Sequence, residues 1–581
     1  MTTTHPTSAP TLQPARPETT RAVQPPDPPG PGSWVLDPSH VPTPISGFFA
    51  DAMPEGYVRG WRECLPRYGT LLEEVTPFFV DGFVYLQNRP VGAPPDAAGP
   101  PPREVWDAVV SQLPVVQERF AAAERALTGR IWRADLARWD SEIKPARLAR
   151  QRALRAVDPR TLDDDALARH IDACRTALVE GVYQHHRHNM AAILPVALFL
   201  LTASGTTGRS TGELLELFRG SSPVSQGFPD EREQLRAALA ADPSASAAVR
   251  DDGADPAAVL DRLRAAPGPV GRAASQYLDL VLETNVDSED SVGAPGGSEA
   301  PELVLAAIRA AVEGRRAPAL DTAGREAEIR ASVPPEHRAA FDEALAEARL
   351  VYRLRDERAV YGDKLVGPIA RRALLEAGRR LVARGRVAEP ENAVDATAAE
   401  IGMLLLDGAG PSARELAART DWRRTATYRQ MPPFLGPPPA PPVPAEWLPP
   451  AAATVHAAMG LAVNAILEQP EARTTATSVQ GLPVSRGTYE GRAVVVHDAD
   501  DLRRVQPGDV LVATHTGPAF NLVLPLVGAI VTDRGGLLSH AAIVAREFGV
   551  PAVVGCSDAT QVIRDGDRVR VDGETGVVSV R

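Results

Sequence analysis

The stretch Thr532-Asp-Arg-Gly-Gly-Leu-Leu-Ser-His-Ala-Ala-Ile-Val-Ala-Arg-Glu-Phe-Gly549 decides how the chain is read. A β-branched run before it predicts a strand ending at Thr532. Gly535 and Gly536 permit a tight turn and close backbone approach. Ser539 is a preferred N-cap, His540 falls at the first helical position, and Gly549 is a typical C′ terminator. An imidazole there is disfavoured as a cation by the helix dipole, which leaves a neutral nitrogen available as a nucleophile. A phosphoryl group acquired by that nitrogen would meet the backbone N–H groups of the helix start and the glycine turn. Nucleophile and anion site coincide, as a transient phosphohistidine requires.

Working outward, short β-branched runs recur at Gly491–Val496, Gly508–Ala513, Gly528–Thr532, Pro551–Gly555 and Arg568–Val571. Each is bounded by Gly, Asp or Pro. Helical patterns fall at Phe520–Val527 and His540–Phe548, and a final hairpin turns on Asp572-Gly-Glu-Thr-Gly576. Residues 478–581 are therefore expected to form a small α/β module with its own core. Upstream, 432–477 is expected to be a Pro-rich linker (PPFLGPPPAPPVPAEWLPP) followed by a short helix over 451–467 and a polar, Thr-rich stretch. Residues 33–431 have helical texture, with apolar positions three and four apart such as Leu162, Ala166, Leu167 and Ile171. Residues 1–32, rich in Pro, Thr and Ser, are expected to be a disordered tail. The fold class that follows is multidomain, a large mainly α-helical domain and then a small α/β domain.

Composition narrows the function classes. The 581 residues carry 74 acidic against 62 basic side chains, a net charge of −12, which excludes bulk affinity for nucleic acid. Cys64, Cys174 and Cys556 are too few and too scattered for a disulfide framework or a zinc cluster, and a reducing cytoplasm fits them. The N-terminus has no signal-peptide pattern, and Met190–Ala203, interrupted by Pro195, is too short to span a bilayer and predicts a buried helix. Cys556 is expected to be a packed small residue, since no base is placed beside it.

From Gly481 to Arg581 the sequence closely resembles the phosphohistidine swivelling domain of phosphoenolpyruvate-utilising enzymes, most like rifampicin phosphotransferase-type proteins. The pattern of strand, Thr, two residues, Gly-Gly, two residues, Ser-His, then Ala-Ala-Ile-Val-Ala-Arg and Gly-Val-Pro-Ala-Val-Val-Gly is matched from Thr532 through Gly555. Asp509–Val512 and Thr516-Gly-Pro518 match the family's preceding strand and Thr-x-Pro turn, while Phe520-Asn521 departs from the expected aromatic-rich stretch. The resemblance implies that His540 is phosphorylated, with Thr532, Gly535, Gly536, Ser539 and Arg546 supporting the motif. Trp34-Val-Leu-Asp-Pro-Ser-His-Val-Pro-Thr-Pro44 and Arg353–Glu400 resemble parts of the family's helical substrate-binding region.

Tyr183-Gln-His-His-Arg-His188 is the dense histidine cluster, with His185 and His188 three apart and so expected on one helical face. A metal site, the lining of a substrate pocket and an ordinary helix surface all remain open for it; no metal site is assigned. The resemblance makes His185 and His188 substrate-side candidates, together with Arg353 from the charged knot Val351–Arg358, which a solvated charged face also explains. No glycine-rich nucleotide loop accompanies Lys144 or Lys364, the two lysines. The resemblance therefore implies that ATP and Mg²⁺ are handled by a separate ATP-grasp partner. The expected function is a phosphoryl-transfer component passing phosphate from His540 to a hydroxyl of a small, largely hydrophobic substrate held by the helical domain. A non-catalytic phosphocarrier or scaffold, and phosphorylation-assisted elimination, are the alternatives. Expected partners include neither nucleic acid nor a membrane.

Overall fold

The computed structural model describes residues 27–581 except 95, 98, 284–289, 314–321, 468–472, 498–500, 518–519, 521–522 and 525. Most of the expected tail lies outside the described residues; 27–32 carry no helix or strand, and the Pro31 carbonyl accepts from Gln87 Nε2 at 2.8 Å.

The helical body starts with α1 (Gly47–Arg67), capped by Ser46, whose Oγ accepts from Phe49 N at 3.4 Å. Below it run α2 (Lys144–Arg155), α3 (Asp164–Arg187) and α4 (Asn189–Thr207). Gly56 lets α1 lie directly on α3, since a Cβ there would stand 2.3 Å from the Val179 carbonyl oxygen. Leu167, Ile171, Cys174, Leu178 and Val182 are the buried stripe of α3, at the three-and-four spacing of an amphipathic helix. α3 and α4 follow each other almost without a break. Asp164–Thr207 is the one described helical run apolar and long enough to cross a membrane, and 56% of its most apolar window is covered by protein. Phe199 and Leu200 of α4 pack with Phe218, Phe341 and Tyr352, which accounts for that hydropathy. The body continues through α5 (Arg338–Tyr352), α6 (Leu354–Ala359), a π turn at Val360–Lys364 and α7 (Gly367–Ala383).

The body is not helical throughout. β1 (Trp34–Leu36), β2 (Leu72–Val80), β3 (Phe83–Pro90) and β4 (Phe434–Leu435) form an antiparallel sheet in the order β2-β3-β1-β4. Its hairpin turns on Asp81-Gly82, both with positive φ (48° and 82°), the conformation a two-residue hairpin prefers. The stretch expected as a linker is also structured in part. Leu435 is buried in β4, and α8 (Pro450–Leu467) buries Ala452, Val455, Ala458 and Ala462 in the body's core. Any movement of the C-terminal module must therefore begin after α8.

The module holds β5 (Arg473–Thr475), β6 (Ser478–Gln480), β7 (Leu482–Ser485), β8 (Thr488–Val496), β9 (Val510–Ala513), β10 (Ala529–Thr532), β11 (Ala552–Val554), β12 (Arg568–Asp572) and β13 (Val577–Val580). They form one mixed sheet, ordered β5-β6-β13-β12-β8-β9-β10-β11-β7. Strands β8 to β11 are parallel, and the antiparallel strands flank them. These central strands are buried on both faces, so they read as continuous Val, Ile and Ala runs. Val494, Leu511, Ile530 and Val554 face α9 (His540–Phe548), while Val495, Val512, Val531 and Val553 face Val569, Val571 and Ile563. The first of these clusters continues into the body, where it includes Leu194, Tyr277 and Leu303. The fold class expected from the sequence is the one observed.

Candidate active site

β10 lies between β9 and β11, and its carboxyl end delivers Thr532 into the loop that carries His540. In open α/β sheets this end of the parallel strands is where ligands bind. Thr532 Oγ1 donates to the Arg534 carbonyl at 2.7 Å, closing the start of the loop. Asp533 accepts from Thr560 N at 2.9 Å and from Thr560 Oγ1 at 2.5 Å; burial pushes its carboxyl up to about 6. Gly535 has φ +127°, and a Cβ on it would stand 2.7 Å from Ser539 Oγ, so the turn needs glycine. Ser539 N donates to the Gly536 carbonyl at 3.0 Å, and Ser539 Oγ accepts from Ala542 N at 3.4 Å as the N-cap of α9. Gly549 closes the helix in the left-handed region, with φ +64°.

His540 is half-buried at the first position of α9, with Nδ1 3.0 Å from Thr516 Oγ1. Thr516, itself buried, reads in the sequence only as part of a Thr-x-Pro turn; Pro518 and Asn521 lie outside the described residues. Arg546 does not face the imidazole. It is buried behind the loop, where Nη2 donates to the Leu537 carbonyl at 2.8 Å and Nη1 to the Val484 carbonyl at 3.3 Å. Thr532, Ser539 and Arg546 thus hold the backbone that holds His540.

The loop faces the helical body. Leu537 and Leu538 join Phe199, Leu200, Phe218, Phe341 and Tyr352 in one apolar cluster. Leu538 N donates to the Ala465 carbonyl of α8 at 3.0 Å, and the Leu538 carbonyl accepts from Arg355 Nη2 of α6. Two turns along α9 from His540, Glu547 accepts from Gly220 N at 2.7 Å and from Gln226 Nε2 at 2.9 Å. Its carboxyl is pushed up to about 7, by burial first and then by nearby Asp356. Around the rim, Arg486 pairs with Glu213 (3.1 Å) and Glu216 (2.9 Å), Arg429 pairs with Asp558 (3.0 Å), and the Arg534 guanidinium sits 4.0 Å over the Tyr428 ring.

The expected substrate-side residues are not brought together. His188 caps α3, fully buried; its Nδ1 is 2.9 Å from the Gln184 carbonyl and its ring meets Trp139 edge-on. Burial pushes its imidazole down to about 4, which keeps it neutral. His185 turns instead to the π turn, with Nδ1 3.1 Å from Asp363 Oδ1 and its ring stacked on His186. The guanidinium of Arg353 is spent on Asp140 (2.6 and 3.0 Å) and Glu357 (2.9 and 3.0 Å). Arg355, two positions on, is the arginine that reaches the His540 loop. Among the described residues no group of three or more His, Cys, Asp or Glu is placed to hold a metal ion. Cys556 is buried, and burial drives its thiol well above the usual range.

Residues 505–576 match the family described as PEP-utilising enzyme, mobile domain. Rifampicin phosphotransferase of Streptomyces sviceus is 48% identical over 100 residues, 17% of this chain and 11% of that protein. Phosphoenolpyruvate synthase of Escherichia coli is 45% identical over 102 residues, 17% of this chain and 13% of that one. Chondramide synthase cmdD of Chondromyces crocatus is 42% identical over 164 residues, 28% of this chain and 4% of that much longer protein. The chain thus spans well under a fifth of the length of each of these relatives. Its C-terminal module is similar to that mobile domain over residues 505–576.

Proposed function

We propose that the chain is the accepting and delivering component of a small-molecule phosphotransferase. His540 takes a phosphoryl group from ATP and Mg²⁺ bound on a separate ATP-grasp protein. It then passes the group to a hydroxyl of a largely apolar substrate held by the helical body, in the cytoplasm. The observation that carries this reading is the docking of the loop. Leu537 and Leu538 sit among the body's aromatic side chains, and the Leu538 backbone is gripped by Arg355 and Ala465. In-line transfer needs the reacting atoms within about 3–3.5 Å. A histidine held here cannot also lie that close to a nucleotide on another protein, so loading requires the module to leave the body after α8.

In the loading step, Thr516 Oγ1 accepts from Nδ1–H, which leaves the Nε2 lone pair as the nucleophile. Nε2 bonds to the β-phosphorus of ATP as the bond from that phosphorus to the oxygen bridging to the α-phosphorus breaks and AMP leaves. Water then takes the γ-phosphoryl group as inorganic phosphate, and the β-phosphoryl group stays on Nε2. Back at the body, the substrate hydroxyl oxygen bonds to phosphorus, the N–P bond breaks, and the imidazole recovers its lone pair. The hydroxyl proton leaves to solvent as the N–P bond breaks.

The test is direct. The chain is incubated with ATP labelled at the β-phosphate, Mg²⁺ and an ATP-grasp protein encoded beside it. The expected result is acid-labile, base-stable label on the wild-type chain and none on His540→Ala. Label persisting on that variant ends the proposal. Adding candidate substrates then separates a phosphorylated product from a dehydrated one.

A further inference from the structure

Two adjoining cavities lie across α6 from the docked module. Tyr352 and Arg355 look toward the module, whereas Glu357 and Tyr361, roughly half a turn around the helix, look toward Lys144 (3.2 Å from the Glu357 carboxylate, 4.5 Å over the Tyr361 ring) and the cavities beyond it. The first cavity, about 390 Å³, is walled by Arg155, Arg160, Arg372 and Arg379, with Asp158 as the single acid on its lining. Four guanidiniums line this one cavity of a chain whose net charge is −12.

Three of these arginines are paired: Arg155 with Asp279 (2.5 Å), Arg160 with Asp158 (2.9 Å) and Arg379 with Glu376 (3.0 Å). Arg372 forms no ion pair among the described residues. Its Nη2 donates to the carbonyls of Arg155 (2.7 Å) and Val157 (3.1 Å), and its Nε is buried without an acceptor. Arg372 is half-buried and Glu283 and Asp158 act on it through space, but its Nε lacks the acceptor that a buried donor ordinarily has.

The second cavity, about 450 Å³, meets the first at Arg155, which lines both. Gln151 lines it and is 5% exposed. Gln151 Nε2 donates to the Tyr361 carbonyl at 2.8 Å, which fixes the amide, and its Oε1 is buried without a donor. Leu148, Leu365 and Ile369 supply an apolar wall. Glu231, Asp279 and Glu283 also line this second cavity. The arginine end therefore offers a guanidinium with no direct carboxylate contact at Arg372, and the other end offers an acceptor without a donor.

We infer that the two cavities form one ligand site for a small phosphomonoester, with the phosphate between Arg372 and Arg160 and a hydroxyl of the remainder donating to Gln151 Oε1. Several guanidinium forks suit the charge and the oxygens of a phosphate dianion. The site is distinct from the His540 loop, and the inference stands independently of the transfer reaction.

Calorimetric titration of the full chain at neutral pH with inorganic phosphate and with glycerol 1-phosphate tests it. Both probes are expected to bind, glycerol 1-phosphate about tenfold more tightly. His540→Ala leaves both affinities unchanged. Arg372→Gln and Arg160→Gln each weaken both by about tenfold or more. Gln151→Leu removes the advantage of glycerol 1-phosphate alone. No binding at about 10 mM probe, equal affinity for the two probes, or binding lost in His540→Ala but kept in Arg160→Gln overturns the inference. Because Arg372 also ties two carbonyls, Arg160→Gln, on a largely exposed side chain, decides the matter if Arg372→Gln does not fold.

Discussion

In the proposed transfer, the chemistry of His540 is governed by what holds its Nδ1. Thr516 is the partner, its hydroxyl 3.0 Å from Nδ1, which leaves Nε2 as the nitrogen proposed to react. Thr516→Val is expected to slow labelling of His540 by about tenfold to a hundredfold, measured by rapid quench, without lowering the melting temperature appreciably. An unchanged rate would remove the hydroxyl from the mechanism. Glu547 gives a second prediction at this scale. Buried between Gly220, Gln226 and Asp356, its carboxyl is raised to about 7, above the ordinary carboxylate range. The folded, docked state therefore binds a proton that the unfolded chain releases. Its stabilising contribution is fully present below the ordinary carboxylate value, fades as pH rises, and is lost once pH passes about 7. Asp533, raised to about 6, acts in the same direction. Thermal midpoints between pH 5 and 8 should fall with pH in the wild type and fall less in Glu547→Gln; identical slopes would place the Glu547 proton elsewhere.

Much at this scale was legible in the sequence. Ser539, Gly549 and the glycine turn follow from capping and left-handed preferences that act within a few residues. Arg353 and Arg355 were not separable in the same way. They sit two apart in one charged knot, and only the arrangement of neighbouring helices decides that one meets Asp140 and Glu357 while the other meets Leu538. Likewise the three-residue spacing of His185 and His188 presumes a continuing helix, but α3 ends at His188 and the two rings diverge.

Among elements, the parallel strands were legible because strands buried on both faces advertise themselves as unbroken β-branched runs. The hairpin of β2 and β3 was visible in principle, since Asp81-Gly82 between aromatic and β-branched residues is a strong turn signal. It was obscured by lying inside a chain otherwise spaced at three and four. The loop before α9 is the element on which the proposed delivery depends. Leu537→Ala with Leu538→Ala removes two side chains from the aromatic cluster, where truncating a fully buried leucine costs about 2–5 kcal/mol. In the partnered assay the double variant should still be labelled at His540 while release of the label to substrate falls by at least about tenfold. Equal loss of both steps would mean that the leucines shape the loop rather than seat it.

For the whole molecule, the division of labour predicts that docking and loading exclude each other. Arg486 of the module and Glu216 of the body are 2.9 Å apart at the rim, and both are on the surface side of the interface. Replacing both by cysteine and bridging them with a short bismaleimide should lock the module down. A chain loaded before bridging should still transfer its phosphoryl group; a chain bridged first should not load. Normal loading of the bridged chain would show that the nucleotide partner reaches His540 in place. What sequence could not supply at this scale is the seating of α8, because an Ala-rich helix between two Pro- and Thr-rich stretches has the composition of a tether while its small side chains let it pack tightly against the body.

The continuity of the apolar cluster across the two parts has a cost that falls on the travelling state. In the proposed cycle each departure would wet a leucine pair on one side and an aromatic bowl on the other, which would make the detached arm sticky. A protein built this way should spend little time open unless its partner offers a matching greasy seat, and at high concentration its copies should tend to cling to one another by those bared faces.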